Sequence, residues 1–310
     1  VKIVFFGSPA TAVTSLKRLL EKGHDIGLVV TQPDRPAGRG KKISPSPVKQ
    51  LARELNIPVF QPPKIRKDPQ ALKRIQDAGP DLNVVVAYGQ IIPAPLIYFP
   101  EYNSINLHFS LLPRYRGASP VAWAILNGEH ISGVTIFELN EKMDEGDILA
   151  RKEVEILPNE NARELENRLA KIGADLLCET IDRIGTIPHI KQDHSLATYA
   201  PLLKKEDGRI DWARDAASID RKVRAFTPWP SAFAYYGDKR LKILKGRPQQ
   251  GRLSPSFPGK ILKANKEGLA VGCGEKSVYL IEELQQEGRR VMNAYVFSIG
   301  ARIGPGDKLH

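Results

Sequence analysis

Residues 2–23 read KIVFFGSPATAVTSLKRLLEKG, and their order decides the fold. Ile3 to Phe6 form an unbroken apolar run, the mark of a short strand buried on both faces. Gly7-Ser8-Pro9 turns the chain, and the residues from Thr11 to Gly23 read as an amphipathic helix. A buried strand, a tight turn and a helix open a doubly wound α/β sheet. The same stretch excludes a ligand class. The next glycine after Gly7 is Gly23, so no G-x-G-x-x-G lets a pyrophosphate approach the backbone, and NAD and FAD are ruled out.

Working outward, the alternation repeats. DIGLVVTQ (25–32) predicts a strand, SPVKQLARELN (46–56) a helix, IPVFQ (57–61) a short strand and PQALKRIQDAG (69–79) a helix. DLNVVVAYG (81–89) is the most apolar strand and belongs at the centre of the sheet. NSINLHF (103–109) is the next strand and SPVAWAILNGE (119–129) a helix, while SGVTIFELN and GDILARKEVEI alternate like strands of a half-buried sheet edge. The longest helical pattern, 161–185, is apolar at Leu165, Leu169, Ile172, Leu176, Leu177 and Ile181. A first domain of residues 1–186 follows, then a polar linker, 187–206.

From Asp207 the pattern changes. RIDW predicts a short strand and Ala216–Phe226 a helix ended by Thr227-Pro228-Trp229-Pro230. LKILKG, GKILKAN, GLAVGCG and KSVYLIEEL then read as short strands separated by Gly and Pro, the grammar of a small β-barrel over 207–310. Charge divides the same way. Of a net +11, residues 207–310 hold 19 Lys and Arg against 11 Asp and Glu, a balance of +8. A basic module beside a near-neutral one suggests a polyanionic partner, though a solvated surface gives the same count.

A second basic feature interrupts the first domain. Pro33–Lys49 carries five cations, Arg35, Arg39, Lys41, Lys42 and Lys49, against Asp34 alone, with four prolines and two glycines. That composition predicts a long irregular loop directly after a strand end, where α/β sheets place ligands. Apolar content of 42% supports real cores, and no stretch nears the roughly 18–20 apolar residues that span a bilayer. The first residues show no secretory pattern. Cys178 and Cys273 lie far apart, which implies a reducing compartment, and the histidines show no metal-ligand spacing.

The chemistry concentrates between Ser104 and Leu149. Asn106 and His108 share one side of an extended strand, SLLPRYRG follows, and Asp144 lies in an acidic turn before another apolar run. An amide, an imidazole and a carboxylate are what acyl transfer to an amine requires: a donor for the oxyanion, a proton carrier and its orienting group. N-x-H alone is a weak signal, and a lone histidine is more often a buried, hydrogen-bonded structural one.

The whole constellation, N-x-H, SLLPxYxG and a later Asp, resembles the folate-dependent formyltransferase family. The sequence departs at Lys142, Met143 and Glu145, where that family more often carries Gly, Leu and Thr, and Asp144 is kept. RIDW and VRAFTPWPSAF resemble the C-terminal domain of the branch that acts on tRNA. The resemblance implies a Rossmann-like doubly wound, mostly parallel sheet with a C-terminal OB-like β-barrel domain. It implies catalysis by Asn106, His108 and Asp144, with 10-formyltetrahydrofolate as co-substrate and no metal. Folate contacts are expected from Tyr88, Gly89, Gln90 and Ile91 and from Ser110, Leu111, Leu112 and Pro113. Arg35, Arg39, Lys41 and Lys42 are expected to contact initiator methionyl-tRNA, in a cytoplasmic monomer serving translation initiation. Alternatives are a sugar nucleotide or glycinamide ribonucleotide as acceptor, or a catalytically dead RNA-binding relative.

Overall fold

Seven strands build the central sheet, β5-β2-β1-β6-β7-β8-β9 in order, around the apolar segments. The computed structural model describes residues 1–37, 42–249 and 257–310, without the side chains of Ala37 and Lys42. It divides into two units: Val1–Pro120, Ile131–Glu155 and Glu166–Pro201 form the first, and Val121–His130, Ile156–Leu165 and Leu202–His310 the second.

The first unit begins with β1 (Lys2–Gly7), α1 (Ala10–Glu21) and β2 (Asp25–Val30). β3 (Arg35–Ala37) and β4 (Lys42–Ser44) come next, then α2 (Pro47–Glu54), β5 (Val59–Phe60), α3 (Ala71–Ala78), β6 (Leu82–Val86), α4 (Ala94–Ile97) and β7 (Ser104–His108). β8 (Ile131–Glu138) and β9 (Ile148–Glu155) complete its sheet; α5 (Pro120–Leu126) belongs to the second unit from Val121 on, and the 20-residue α6 (Ala162–Ile181) to the first from Glu166 on. β1, β2, β5, β6 and β7 run parallel, and β8 and β9 add an antiparallel edge. The most apolar strand, β6, is central as expected, because helices cover both faces of the sheet there. Val4, Phe6, Val30 and Val85 pack on one side with Ile75 and Leu96. On the other, Gly173 of α6 lies so close to Leu107 that a Cβ there would meet it at 2.7 Å. Each large apolar side chain removed from water contributes about 1.5–3 kcal/mol.

The basic loop holds more order than its prolines suggest. β3 and β4 pair antiparallel, Arg35 with Ser44 and Pro36 with Ile43. A two-stranded ribbon is all edge, and an edge tolerates a proline without N–H.

In the second unit, α7 (Ala216–Ala225) is capped by Asp215, whose carboxylate accepts from the Ser218 N–H at 2.9 Å. It packs on an antiparallel sheet ordered β10 (Ala232–Tyr236), β11 (Lys239–Gln249), β14 (Val278–Gln286), β13 (Gly268–Gly272), β12 (Ile261–Asn265), with β15 (Met292–Asn293) beside β14. Residues 307–310 bridge the two ends of that order. Ile261 N–H donates to Asp307 C=O (2.8 Å) and Leu309 N–H to Gly259 C=O (2.8 Å) on one side, while Tyr235 and His310 exchange bonds of 2.7 and 2.8 Å on the other. This closure makes the sheet a barrel. The strand expected at RIDW is reduced to one bridge, Arg209 with Phe233, because the chain turns at once around Asp211 to cap α7. α8 (Ala294–Ala301), capped by Asn293, was not foreseen from the sequence.

Candidate active site

The carboxyl ends of β1, β2, β6 and β7 meet at one sheet edge, and polar side chains stitch the turns that follow them. Gln32 N–H donates to Ser8 Oγ (3.1 Å), and the Gln32 carboxamide donates to Tyr88 C=O (3.0 Å) and accepts from Arg35 (3.1 Å). Gln90 donates to Pro62 C=O at 3.1 Å and accepts from Ile65 N–H at 2.8 Å. Ala87 (φ 48°) and Gly89 (φ 78°) both take left-handed backbone, so the turn after β6 bends sharply at this edge.

β7 carries Asn106 and His108 opposite Phe137 and Thr135 of β8. His108 is buried, and its ring meets Phe137 edge-on at 6.3 Å. Its Nε2 lies 2.9 Å from Tyr115 C=O, and a carbonyl only accepts, so Nε2 bears a hydrogen. Nδ1 points to Asp144 Oδ2 at 3.8 Å. A proton arriving on Nδ1 therefore faces a carboxylate. The Asn106 carboxamide is half-buried and, among the described residues, has no hydrogen-bond partner, which leaves its N–H groups for a ligand.

Asp144 owes its place to the two loops around it. The segment after β7 is pinned by Thr135, which accepts from Leu112 N–H (3.1 Å) and donates to Ser110 C=O (2.6 Å). Tyr115 N–H donates to Thr198 Oγ1 and Arg116 N–H to Thr198 C=O, both at 2.8 Å. Gly117, at φ 116°, donates its N–H to Asp144 Oδ2 at 2.7 Å; a Cβ there would meet Ala200 C=O at 2.8 Å. The acidic loop takes φ 54° at Asp144 itself. Gln192 donates to Asp144 C=O (2.9 Å) and Gly146 C=O (2.7 Å), and Arg116 donates to Gln192. Glu145 turns to Arg116 (3.4 Å) and Lys142 (3.7 Å), while Met143 is exposed.

The structure thus brings Asn106, His108 and Asp144 together. Of the other candidates, Ile91 is exposed, whereas Tyr88, Ser110, Leu112 and Pro113 are buried. Tyr88 packs edge-on against Phe6 at 5.5 Å, burial pushes its phenol pKa up, and its hydroxyl has no hydrogen-bond partner among the described residues. Leu111 leans over Gly133 and Gln90 is engaged as above. Arg35 is exposed at the arm's root; Arg39, Lys41 and the Lys42 side chain lie outside the described residues. Sequence reasoning missed Gln32, Arg116, Gln192 and Thr198, and also Gln61, whose carboxamide donates to Gln32 C=O at 2.8 Å. The polar run QDHS inside a segment read as linker was the available signal for Gln192.

Family comparisons place the chain. The formyl transferase signature matches residues 1–181, and that of the formyl transferase C-terminal domain matches 202–302. The chain belongs to the formyltransferase family. A methionyl-tRNA formyltransferase of Geobacter metallireducens is 46% identical over 311 residues, covering 100% of this chain and 98% of the relative. Among solved structures, the sugar 3N-formyl transferase WlaRD, crystallised with dTDP and 5-N-formyl-THF, superimposes with a TM-score of 0.67 at 21% identity over 94% of this chain and 99% of its own. A methionyl-tRNA formyltransferase from Clostridium thermocellum gives 0.58 at 17% identity over 81% and 95%. These two share the fold. This formyltransferase is an enzyme, and none of its described helices is long and apolar enough to cross a membrane.

Proposed function

We propose that this formyltransferase moves the formyl group of 10-formyltetrahydrofolate to the α-amino group of initiator methionyl-tRNA in the cytoplasm, supplying translation initiation. The observation that carries the chemistry is Asn106 and His108 on one strand, with Nδ1 of His108 facing Asp144. The full-length identity to a methionyl-tRNA formyltransferase supports the acceptor. The donor fits the sheet edge: a sharp turn after β6 and an unengaged carboxamide on β7 give a planar amide-rich substrate backbone and side-chain groups to meet.

The acceptor amine, neutral when it reacts, attacks the formyl carbon, and negative charge grows on the formyl oxygen. Asn106 Nδ2 donates to that oxygen, and His108, whose Nε2–H is held by Tyr115 C=O, takes the attacking amine's proton on Nδ1, stabilises the oxyanion as the imidazolium and passes the proton to the departing nitrogen. Asp144 orients the imidazole and receives the charge of a protonated Nδ1. Residues 1–186 supply this chemistry, the arm around Arg35, Arg39, Lys41 and Lys42 contacts tRNA, and residues 207–310 hold phosphates through their excess of +8.

Turnover of Asn106→Ala tests the reading, with methionyl-tRNA, glycinamide ribonucleotide and an amino sugar nucleotide offered as acceptors. One lost oxyanion donor costs about 100-fold or more in kcat. The expected result is a fall of that order with KM for tRNA little changed, and wild-type activity on methionyl-tRNA alone. Near-normal turnover in the variant, or preference for another acceptor, would sink the proposal.

A further inference from the structure

We propose that Gln192 is a positioning residue of the reaction, aiming the Asp144 carboxylate at His108 through the backbone on either side of Glu145. The inference rests on the roles proposed above for His108 and Asp144.

Asp144 sits in left-handed backbone, which a side chain with a Cβ rarely adopts unless neighbours impose it. Three contacts impose it here. Gly146 is wedged so tightly beneath Glu138 that a Cβ would fall on its carbonyl oxygen. Gly117 N–H draws in Oδ2 at 2.7 Å. The third is the Gln192 carboxamide, whose two N–H bonds divide between the carbonyls of Asp144 (2.9 Å) and Gly146 (2.7 Å).

That carboxamide can point only one way. Its Oε1 accepts from Arg116 Nε (3.2 Å) and Nη2 (2.7 Å), and a guanidinium has no acceptor to offer an NH2 group. Arg116 is itself 1% exposed and is held in place by Glu145 at 3.4 Å and by His194 Nδ1 at 3.0 Å. Gln192, 6% exposed, is therefore a rigid spacer between a fixed cation and the carbonyl ahead of, and the carbonyl beyond, Glu145. It touches neither His108 nor the reacting atoms in this arrangement and acts only through Asp144.

Gln192→Glu separates positioning from simple support. The carboxylate keeps and strengthens the bonds to Arg116 but presents oxygen, not N–H, to both loop carbonyls. Displacement of a catalytic group by about 1 Å can cost on the order of 100-fold. We expect kcat to fall about 10- to 100-fold by that route, KM for both substrates to move little, and the melting temperature to stay close to wild type. Hydrogen exchange at the Gly117 amide, which reports the carboxylate's position, should accelerate. Gln192→Met, of similar length and without donors, should lose kcat alike but also lower the melting temperature, because it takes from buried Arg116 the oxygen that Nε and Nη2 donate to; it serves if the Glu variant does not fold. Wild-type kcat and Gly117 protection in either variant would overturn the inference, as would a kcat loss that only tracks the unfolded fraction. Asp144→Asn is the control. If it abolishes turnover while Gln192→Glu does not, Gln192 alone is misassigned; if it retains turnover, the catalytic reading fails and this inference with it.

Discussion

Cys178 and Cys273 are 1% and 0% exposed, and burial pushes their thiols up to about 11 and about 12. The thiolate is the reactive form, so neither thiol can act as a nucleophile in the folded protein near neutral pH. Native protein should fail to release colour from an aromatic disulfide reagent at pH 8 and should titrate two thiols once denatured. Rapid modification of the native protein would show one of them to be accessible. Single residues were unevenly legible in the sequence. Asn106 and His108 were readable because a strand's period of two puts them on one side, and Asp144 because it heads an acidic turn. Gln192 was not, since its meaning comes from a meeting with residues 46 and 48 positions earlier in the chain, after both loops have folded.

At the scale of elements, the parallel strands and their helices were readable because buried runs and helical spacing are local properties. The β3–β4 ribbon and α8 were not: the first is stabilised by its root, the second by packing on the barrel. That root is an ion pair, with Lys49 Nζ 2.7 Å from both Asp34 oxygens and Gln61 donating to Asp34 at 2.8 Å. The Gln61 bond, then the Lys49 bond, hold the Asp34 carboxyl below its ordinary 3.8. A depressed folded pKa stabilises the fold fully above the unfolded carboxyl value, and the contribution is lost as pH falls through the folded one. Asp34→Asn should therefore lower the melting temperature most at neutral pH, where it also strands the buried Lys49 ammonium. The gap to wild type should narrow on acidification. Melting curves taken from pH 7 downward check this, and a constant gap would deny Asp34 the role.

Across the whole molecule the charge is lopsided, +8 in residues 207–310 against +3 in the first 206. Phosphate contacts release counterions, each one neutralised on a duplex adding about 0.9 to the slope of log affinity against log salt. Affinity of the intact protein for initiator tRNA should fall steeply with salt while that for folate barely changes. Reversing the exposed Lys239, Lys263, Lys266 or Lys276 to Glu one at a time shows which cations contribute to that slope. A tRNA slope as shallow as folate's would mean the excess is only solvated surface. The barrel carries a different consequence, for how such a protein ages in a tube. Residues 307–310 seal the seam between the β10 edge and the start of β12 with backbone hydrogen bonds. A protease cut just before Asp307 would remove no catalytic group, yet by freeing these four residues it would unzip that seam and bare two raw strand edges. Unpaired edges recruit other chains. Turbidity on storage would then appear before any loss of chemistry, and its cause would lie in four residues far along the chain from Asn106 and His108.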